Sequence, residues 1–490
     1  MDTLLEIDPT SGTALHRQVY DGLRSAILGG RLRPGERLPA TRSLAEQLSL
    51  ARMTVAEAYD QLRAEGYIEA RRGAGTYVSS DLPGSALASP SSTPDLSRRV
   101  YPLSVWGQHL ARGAERSRRG EARGYKHDLR PHRVAADGFP WAEWNEAAER
   151  ALRASRTDLL SYPPAAGHPA LQEAIAAHVR SYRAVSCTPG HVVIVNGAQQ
   201  GLNLLAQLLL ERGERVAVED PGYPTARQSL EARGLLVTRV PVDREGLSVD
   251  ALLQAGPQRL IHVTPSHQDP TGATMSLGRR LALLDVAERT GALIVEDDYD
   301  SEFRFEGRPV ESLQGLDRSG LVAYAGTFSK SLLAGLRLGF LILPPDLVEP
   351  FVAARSLWDG GTPLLEQAIL AEFMRSGAYE RHIRRMRRLY RGRRDALVEA
   401  LEENFRDRVS IGERHGGLNI LVSFDLPIAD TDLALEAERA GLGLRPASPY
   451  YSQPPDHPSF LLGFAALSEE ELRGAVAELA TVMRSLTDAA

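Results

Sequence analysis

Gly326-Thr327-Phe328-Ser329-Lys330-Ser331-Leu332-Leu333-Ala334-Gly335-Leu336-Arg337-Leu338-Gly339-Phe340 sets a lysine between two serines, with Arg337 seven positions further on. The rest of the chain makes that lysine informative. Lys and Arg together number 57 in 490 residues, yet only Lys126 and Lys330 are lysine. Arginine replaces lysine as a surface charge, but only lysine condenses with a carbonyl to form a Schiff base. Lys126 reads as an ordinary surface residue. Lys330 reads as a nucleophile, because Thr327 and Ser329 place hydroxyls close to it. Arg337 can clamp a phosphate through paired hydrogen bonds.

Two upstream stretches extend the pattern. Val192-Val193-Ile194-Val195-Asn196-Gly197-Ala198-Gln199-Gln200-Gly201-Leu202 reads as strand, glycine turn and helix. A helix N-terminus with free N–H groups binds phosphate. Leu293-Ile294-Val295-Glu296-Asp297-Asp298-Tyr299-Asp300 reads as a buried strand ending in carboxylates. A carboxylate facing a pyridine nitrogen keeps it protonated and makes the ring an electron sink. A phosphate turn, then an acid strand, then a Ser-Lys loop with an arginine together specify a pyridoxal phosphate (PLP) site.

Composition bounds the rest. The chain is long enough for more than one domain. With 43% hydrophobic and 24% charged residues it reads as globular, and it has no long uncharged apolar run to span a membrane. Met1-Asp2-Thr3-Leu4-Leu5-Glu6 has no basic segment of the signal-peptide kind. The single cysteine, Cys187, cannot form an internal disulfide and reads as a small core residue. A cytoplasmic location is the expectation. The net charge of −6 argues against a chain that is basic throughout but leaves room for a local DNA-binding surface.

Residues 1–80 read as a compact helical unit with a wing. Leu15, Val19-Tyr20, Leu23 and Ile27-Leu28 recur at helical spacing and Gly29-Gly30 stop the helix. A second helix is expected from Thr41 as N-cap, and a third from Arg52-Met53-Thr54-Val55. Ile68 to Val78 reads as a two-stranded ribbon with a basic, glycine-rich tip. In this arrangement Arg52 and Thr54 stand at the start of a recognition helix, where base edges are met. Arg42 is placed for phosphate or base contact. Arg71 and Arg72 lie on the wing tip, and Gly73 lets backbone approach DNA.

Residues 81–126 are expected to be a flexible linker, since the adjoining run from Ser79 to Pro94 is dominated by Ser, Pro, Gly, Ala and Thr. Arg116, Arg118, Arg119 and Arg123 follow as a basic, solvated extension. From 127 to 490 the pattern becomes alternating helices and short apolar strands, hence a mostly parallel sheet covered by helices. Its large part is expected over roughly 155–350 and a smaller α+β part over roughly 351–490. The arginine-dense helix Tyr379–Leu397 reads as a solvated or inter-domain face. No metal-ligand pattern is present.

The N-terminal stretch resembles the winged helix-turn-helix of GntR-type bacterial regulators, through Leu38-Pro39-Ala40-Thr41-Arg42-Ser43-Leu44-Ala45, Ala51-Arg52-Met53-Thr54-Val55 and Arg72-Gly73-Ala74-Gly75-Thr76-Tyr77-Val78. Ala51 stands where that family more often has serine. Residues 127–490 resemble a fold-type I, PLP-dependent aminotransferase, and the whole chain resembles the MocR subfamily of regulators. The resemblance implies that Lys330 carries the PLP aldimine, Asp297 pairs with the pyridine nitrogen and Tyr299 bonds the phenolic oxygen. Tyr223, in Glu219-Asp220-Pro221-Gly222-Tyr223-Pro224, would stack on the ring. Gly197, Ala198, Gln199, Thr327, Ser329 and Arg337 would hold the phosphate. Tyr162 would reach a neighbouring subunit's phosphate, which implies a homodimer with shared sites and exchanged, head-to-tail domains.

Three departures stand out. Pro265-Ser266-His267-Gln268-Asp269-Pro270-Thr271-Gly272 has Asp269 where aminotransferases have Asn. An ionised carboxylate would repel the cofactor's phenolate, so Asp269 is expected to turn away and Gln268 or Tyr299 to take over. Leu462 stands where the enzymes have a carboxylate-binding arginine; Arg445 is the candidate substitute for an effector carboxylate. Ala334 replaces a proline of the lysine loop. The expectation is a PLP-dependent DNA-binding transcriptional regulator rather than an enzyme, with residual half-transamination allowed. Its effector is PLP itself or an amino compound. The alternatives are a genuine aminotransferase with an accessory head, or a DNA-binding protein with an empty fold.

Overall fold

A computed structural model of the chain describes residues 11–71, 74–82, 124–154, 157–307 and 311–488, with isolated positions between 5 and 9 and between 102 and 110. The chain forms two compact units, Met1–His109 and Leu110–Ala490. Most of the 81–126 segment, including Arg116, Arg118, Arg119 and Arg123, lies outside the described residues.

In the first unit, helices Leu15–Leu28, Thr41–Leu48 and Arg52–Ala64 precede an antiparallel ribbon of Ile68–Arg71 and Gly75–Val78. Val19, Leu23, Leu44, Val55, Tyr59 and Leu62 form its core. The second helix starts at Thr41, but Ala40 holds the N-cap position and no side chain caps it. Thr41 is therefore the first helical residue and not the cap. Ser49 adopts left-handed backbone (φ 54°) to turn the chain into the third helix. The Tyr59 hydroxyl donates to the Pro39 carbonyl at 3.0 Å, tying that helix to the entry of the second.

The second unit is built on an eight-stranded sheet. Its order is Val192–Val195, Gly339–Ile342, Val322–Thr327, Leu293–Asp298, Leu260–Val263, Arg215–Asp220, Leu236–Asp243 and Gly246–Leu247. Gly339–Ile342 runs antiparallel to both neighbours, and the last short strand is antiparallel to Leu236–Asp243. The other pairings are parallel. Val192–Val195 and Leu260–Val263 are buried at every position, the pattern of parallel strands covered on both faces. A three-stranded antiparallel sheet of Val409–Ile411, Asn419–Phe424 and Ser459–Gly463 forms the smaller part with helices Ala378–Phe405 and Glu469–Asp488. Cys187 is free and buried.

The helix Ala378–Phe405 keeps Arg381, Arg384, Arg385 and Arg388 exposed. Others of its arginines reach carbonyl oxygens of neighbouring segments. Arg387 donates to the Glu302 carbonyl, Arg391 to that of Phe305 and buried Arg393 to that of Ala465. Guanidinium has five donors in a fixed fork, so it satisfies carbonyls that lie outside the sheets. Among the described residues, no helix is long and apolar enough to cross a membrane and no cluster of His, Cys, Asp and Glu could hold a metal ion.

Candidate functional site

The parallel strands deliver their carboxyl ends to one edge of the sheet, where open α/β sheets bind ligands. Asn196-Gly197 follows Val195, Thr264 to Asp269 follow Val263, Asp297 and Tyr299 close the strand Leu293–Asp298, and Lys330 follows Thr327. The antiparallel strand completes the edge with its opposite end. Gly339 pairs with both Val195 and Thr327. Arg337, two residues before Gly339, is thereby brought to Gly197 and Ser329, two residues after those partners. A Cβ on Gly339 would stand 2.9 Å from the Gly197 Cα and 2.9 Å from the Gly326 carbonyl oxygen, so only glycine allows this approach.

A cavity of about 300 Å³ results, lined by His132, Gly197, Ala198, Gln199, Tyr223, Thr225, Thr264, Asp269, Asp297, Tyr299, Thr327, Ser329, Lys330 and Arg337. That volume is at the small end of the range for small-molecule sites, roughly 300–1,000 Å³. Ten residues expected at a cofactor site line it: Gly197, Ala198, Gln199, Tyr223, Asp297, Tyr299, Thr327, Ser329, Lys330 and Arg337. Tyr162 does not. It is 97% exposed in its own chain.

Side-chain alternation decides which of three consecutive carboxylates faces the cavity. Residues i and i+2 of a strand share a face, so Glu296 and Asp298 point one way and Asp297 the other. Glu296 accepts the Leu313 and Gln314 N–H groups and lies 3.8 Å from buried Arg280. Asp298 accepts Arg183 Nε at 2.8 Å and the Tyr324 hydroxyl at 2.7 Å. Asp297 is left for the cavity, with buried His262 Nε2 3.3 Å from its Oδ2. Tyr299 shares the Asp297 face. Its hydroxyl lies 3.1 Å from His267 Nδ1, which is 3.0 Å from Asp300 Oδ2. Burial lowers the His267 pKa, but the Asp300 charge and hydrogen bond more than offset this and the net direction is up.

Lys330 is shifted the other way. Burial pulls its ammonium below the usual lysine range, and Arg337 adds to this against the attraction of Asp300, Asp269 and Asp297. A larger share of free amine at neutral pH is what a nucleophilic lysine needs. The helix start that lines the cavity also has a recognisable form. Gly197 (φ 89°) precedes the twelve-residue helix Ala198–Leu209, which has no side-chain cap. Arg337, itself left-handed (φ 52°), directs Nη2 to the Asn196 carbonyl at 3.4 Å. Uncapped N–H groups beside a guanidinium fit an anionic group. Gln199 Oε1 and Asp269 Oδ1 are buried without a hydrogen-bond partner.

The Asp269 loop differs from expectation. Asp269 does not turn away; it lines the cavity and is 3% exposed. Burial pushes its carboxyl up to about 7, with the charges of Asp300, Asp297 and Glu219 adding to the shift. Below about 7 the carboxyl is protonated and can donate a hydrogen bond, so repulsion is confined to its ionised form. Gln268, the expected replacement, is outside the lining. Its Nε2 donates to the Pro221 carbonyl at 2.8 Å and its Oε1 accepts the Thr271 hydroxyl at 2.7 Å, so it braces the turn behind the wall. Arg445 is exposed and also outside the lining, although its charge is felt at His132 and Tyr450. Leu462 is fully buried, paired with Ile420 in the small sheet. His132, His262 and Thr264 were not legible from the sequence. His132 lies almost 200 positions from Lys330 in an irregular segment, and only its non-glycine left-handed backbone marks it.

On the winged unit, Arg52 is exposed at the first turn of its helix, with no ion pair among the described residues, and Thr54 is half-buried. Met53 beside it is 77% exposed. Arg42 Nε lies 3.2 Å from Glu46 on its own helix. Arg71 pairs with Glu69 at 2.8 Å and stacks over the Tyr77 ring. Arg72 and Gly73 lie outside the described residues.

Both units have known counterparts. Residues 15–78 match the family described as bacterial regulatory proteins, gntR family, and residues 135–479 match aminotransferase class I and II. The probable rhizopine catabolism regulatory protein MocR of Rhizobium meliloti is 39% identical over 99% of this chain and 96% of its own. The pyridoxine biosynthesis transcriptional regulator PdxR of Corynebacterium glutamicum is 32% identical over 98% of both. Among solved structures, the α-aminoadipate aminotransferase LysN of Thermus thermophilus, complexed with N-(5'-phosphopyridoxyl)-L-leucine, is 28% identical with a TM-score of 0.70, covering 79% of this chain and 100% of that one. Pyrococcus horikoshii kynurenine aminotransferase is 26% identical with a TM-score of 0.71, over 80% of this chain and 98% of that one. Likeness along the full length to regulators that carry both parts, and not only to free-standing aminotransferases, places the chain in the MocR-type family of GntR regulators.

Proposed function

We propose that the protein is a DNA-binding transcriptional regulator whose aminotransferase-like unit holds PLP at Lys330 and serves as a sensor. One observation carries this: a half-buried lysine with a lowered pKa shares a cavity with Asp297, an uncapped helix start and Arg337. Gly197, Ala198, Gln199, Thr327, Ser329 and Arg337 would hold the phosphate. Asp297, oriented by His262, would meet the pyridine nitrogen. Tyr223 would cover the ring, and Tyr299 with protonated Asp269 would meet the phenolic oxygen. When bound, PLP supplies an electron-withdrawing ring to an amine joined to it. Lys330 supplies the amine, and its lowered pKa keeps more of it unprotonated. Leu462, buried where an enzyme would need an arginine, supports a sensing role over turnover. Arg445, exposed and with its charge felt at His132, is proposed for the carboxylate of any amino-acid effector.

We further propose a cytoplasmic homodimer with exchanged heads joined through residues 81–126. Leu160, Tyr162, Leu357 and Trp358 are exposed on neighbouring segments, an apolar surface that suits a second copy. Each head would engage one half-site.

The test is anisotropy on labelled DNA from upstream of the protein's own gene, comparing PLP-free with PLP-loaded protein. A change in affinity on PLP alone, roughly 5-fold or more, marks PLP as the effector. Binding that changes only when an amine is added makes PLP the hook for a second ligand. Steady turnover of an amino donor and a keto acid at about 1 per second or faster would overturn the sensor reading in favour of an enzyme.

Asp269 gives that reading a pH signature. Below about 7 its carboxyl is protonated and donates; above it the carboxylate repels a phenolate. PLP affinity is therefore expected to fall as pH rises through 7, and Asp269→Asn is expected to flatten that fall. Equilibrium titrations from pH 6 to about 8 compare the two proteins. Parallel profiles would remove Asp269 from this role.

A further inference from the structure

Tyr299 lines the Lys330 cavity, and its hydroxyl has one hydrogen-bond partner among the described residues, Nδ1 of His267 at 3.1 Å. That nitrogen is claimed from another side. The two carboxylate oxygens of Asp300 lie 3.1 and 3.0 Å from it. A ring nitrogen either donates or accepts; it cannot do both. An ionised carboxylate only accepts, so Nδ1 facing Asp300 carries the proton. It then has no lone pair for the Tyr299 hydroxyl and can only donate to its oxygen. The Tyr299 proton goes elsewhere, and the space that this tyrosine lines is the Lys330 cavity.

The pair is clamped in place. His267 and Asp300 are 8% and 1% exposed. Gly417, of the smaller part, has left-handed backbone (φ 80°) and packs against both residues. A Cβ there would stand 2.6 Å from Nδ1 of His267 and 2.9 Å from Oδ2 of Asp300. The Gly417 N–H is fixed to the Phe303 carbonyl at 3.0 Å. Gly272 stands on the Nε2 side, where a Cβ would lie 3.2 Å from that nitrogen. The charges of Asp300 and Asp269 favour protonated His267, while burial and Arg304 oppose it. A buried ion pair that merely joined the large and small parts is the plain alternative, and it predicts nothing at Tyr299.

We propose that His267 is a positioning residue: held as a donor by Asp300, it cannot accept from Tyr299, and so it leaves the Tyr299 hydroxyl to donate into the cavity, to the phenolic oxygen of PLP. This rests on the PLP-sensor reading above. His267 acts through Tyr299 and does not itself line the cavity.

The experiment uses the full-length, PLP-loaded protein and reads the visible absorbance of the bound cofactor from about pH 6 to about 9. That absorbance reports the proton held between the Lys330 nitrogen and the phenolic oxygen. A donor to the oxygen favours its anionic form and lowers the midpoint. Tyr299→Phe is expected to raise the midpoint by about 1 unit, a roughly 10-fold change in proton affinity. His267→Leu should raise it by a similar amount, since the Tyr299 hydroxyl then turns to Asp300. His267→Asn places an amide N–H where Nδ1 stands and should remain within about 0.3 unit of the wild type. His267→Leu combined with Tyr299→Phe should shift no further than Tyr299→Phe alone. If His267→Leu fails to fold because Asp300 is left unpaired, Asp300→Asn takes its place, alone and with Tyr299→Phe, because it frees Nδ1 to accept from Tyr299. Asp269 titrates in the same window in all of these proteins, so the differences between them carry the result. An unmoved midpoint in Tyr299→Phe or His267→Leu, additive shifts in the double variant, or a His267→Asn midpoint equal to that of His267→Leu overturns the proposal. Failure of the wild type to take up PLP would instead overturn the sensor reading on which it rests.

Discussion

Lys330→Ala is expected to lose all PLP that borohydride can trap on the protein, while the variant stays folded and still binds DNA. Intact-mass measurement before and after borohydride reads this directly, since the trapped cofactor adds its mass only where a lysine has captured it. The cavity holds no second primary amine, and the chain's other lysine, Lys126, is engaged with Glu478 at 2.7 Å. Lys330→Arg should fail equally, because guanidinium keeps the charge but cannot condense with a carbonyl. The proposed phosphate and ring contacts are untouched in both variants, so residual noncovalent binding is expected, weakened roughly 10–100-fold, or about 1.4–2.8 kcal/mol. The ligand-dependent change in operator affinity should vanish with the covalent bond. Mass gain at another residue in Lys330→Ala, or an unchanged response to ligand, would sink the assignment.

Arg52→Ala is expected to weaken operator binding by roughly 10–100-fold, about 1–3 kcal/mol, if the side chain reads a base edge. Arg52 is exposed at the first turn of its helix, the end that enters the groove in helix-turn-helix proteins, and among the described residues no acid pairs with it. Arg42→Ala should cost less, because Arg42 gives up an i,i+4 pair with Glu46 before it meets DNA. Anisotropy at several salt concentrations separates the roles. A phosphate contact lowers affinity on all sequences and reduces the salt slope by about 1, whereas a base contact relaxes specificity at one position. Operator binding unchanged in Arg52→Ala would move the recognition surface elsewhere, with exposed Met53 as the next side chain to examine.

The local parts of this protein are legible in its amino-acid order. Helical spacing, turn glycines and runs of β-branched residues are near-neighbour properties, so the winged helix and the strand Val192–Val195 with its glycine turn follow from the order of residues alone. Lys330 is legible for a different reason: a chain with two lysines shows where an amine is indispensable. The inward turn of Arg387, Arg391 and Arg393 was not legible, because an arginine on a helix looks the same whether its partner is water or a distant carbonyl.

Sequence by itself therefore determined the two-part organisation, the parallel-sheet architecture and the loop that carries Lys330. Tertiary structure alone decided which groups surround that lysine. Alternation along Leu293–Asp298 turned Asp297 to the cavity and gave Glu296 and Asp298 to Arg280 and Arg183. Burial raised the Asp269 carboxyl to about 7, where its charge depends on pH. Strand pairing through Gly339 brought Arg337 to Gly197, and the fold carried His132 across almost 200 residues to face Lys330's cavity. Near-neighbour order sets backbone conformation, but a side chain's charge state and partners depend on strand register and burial, which exist only once distant segments have packed.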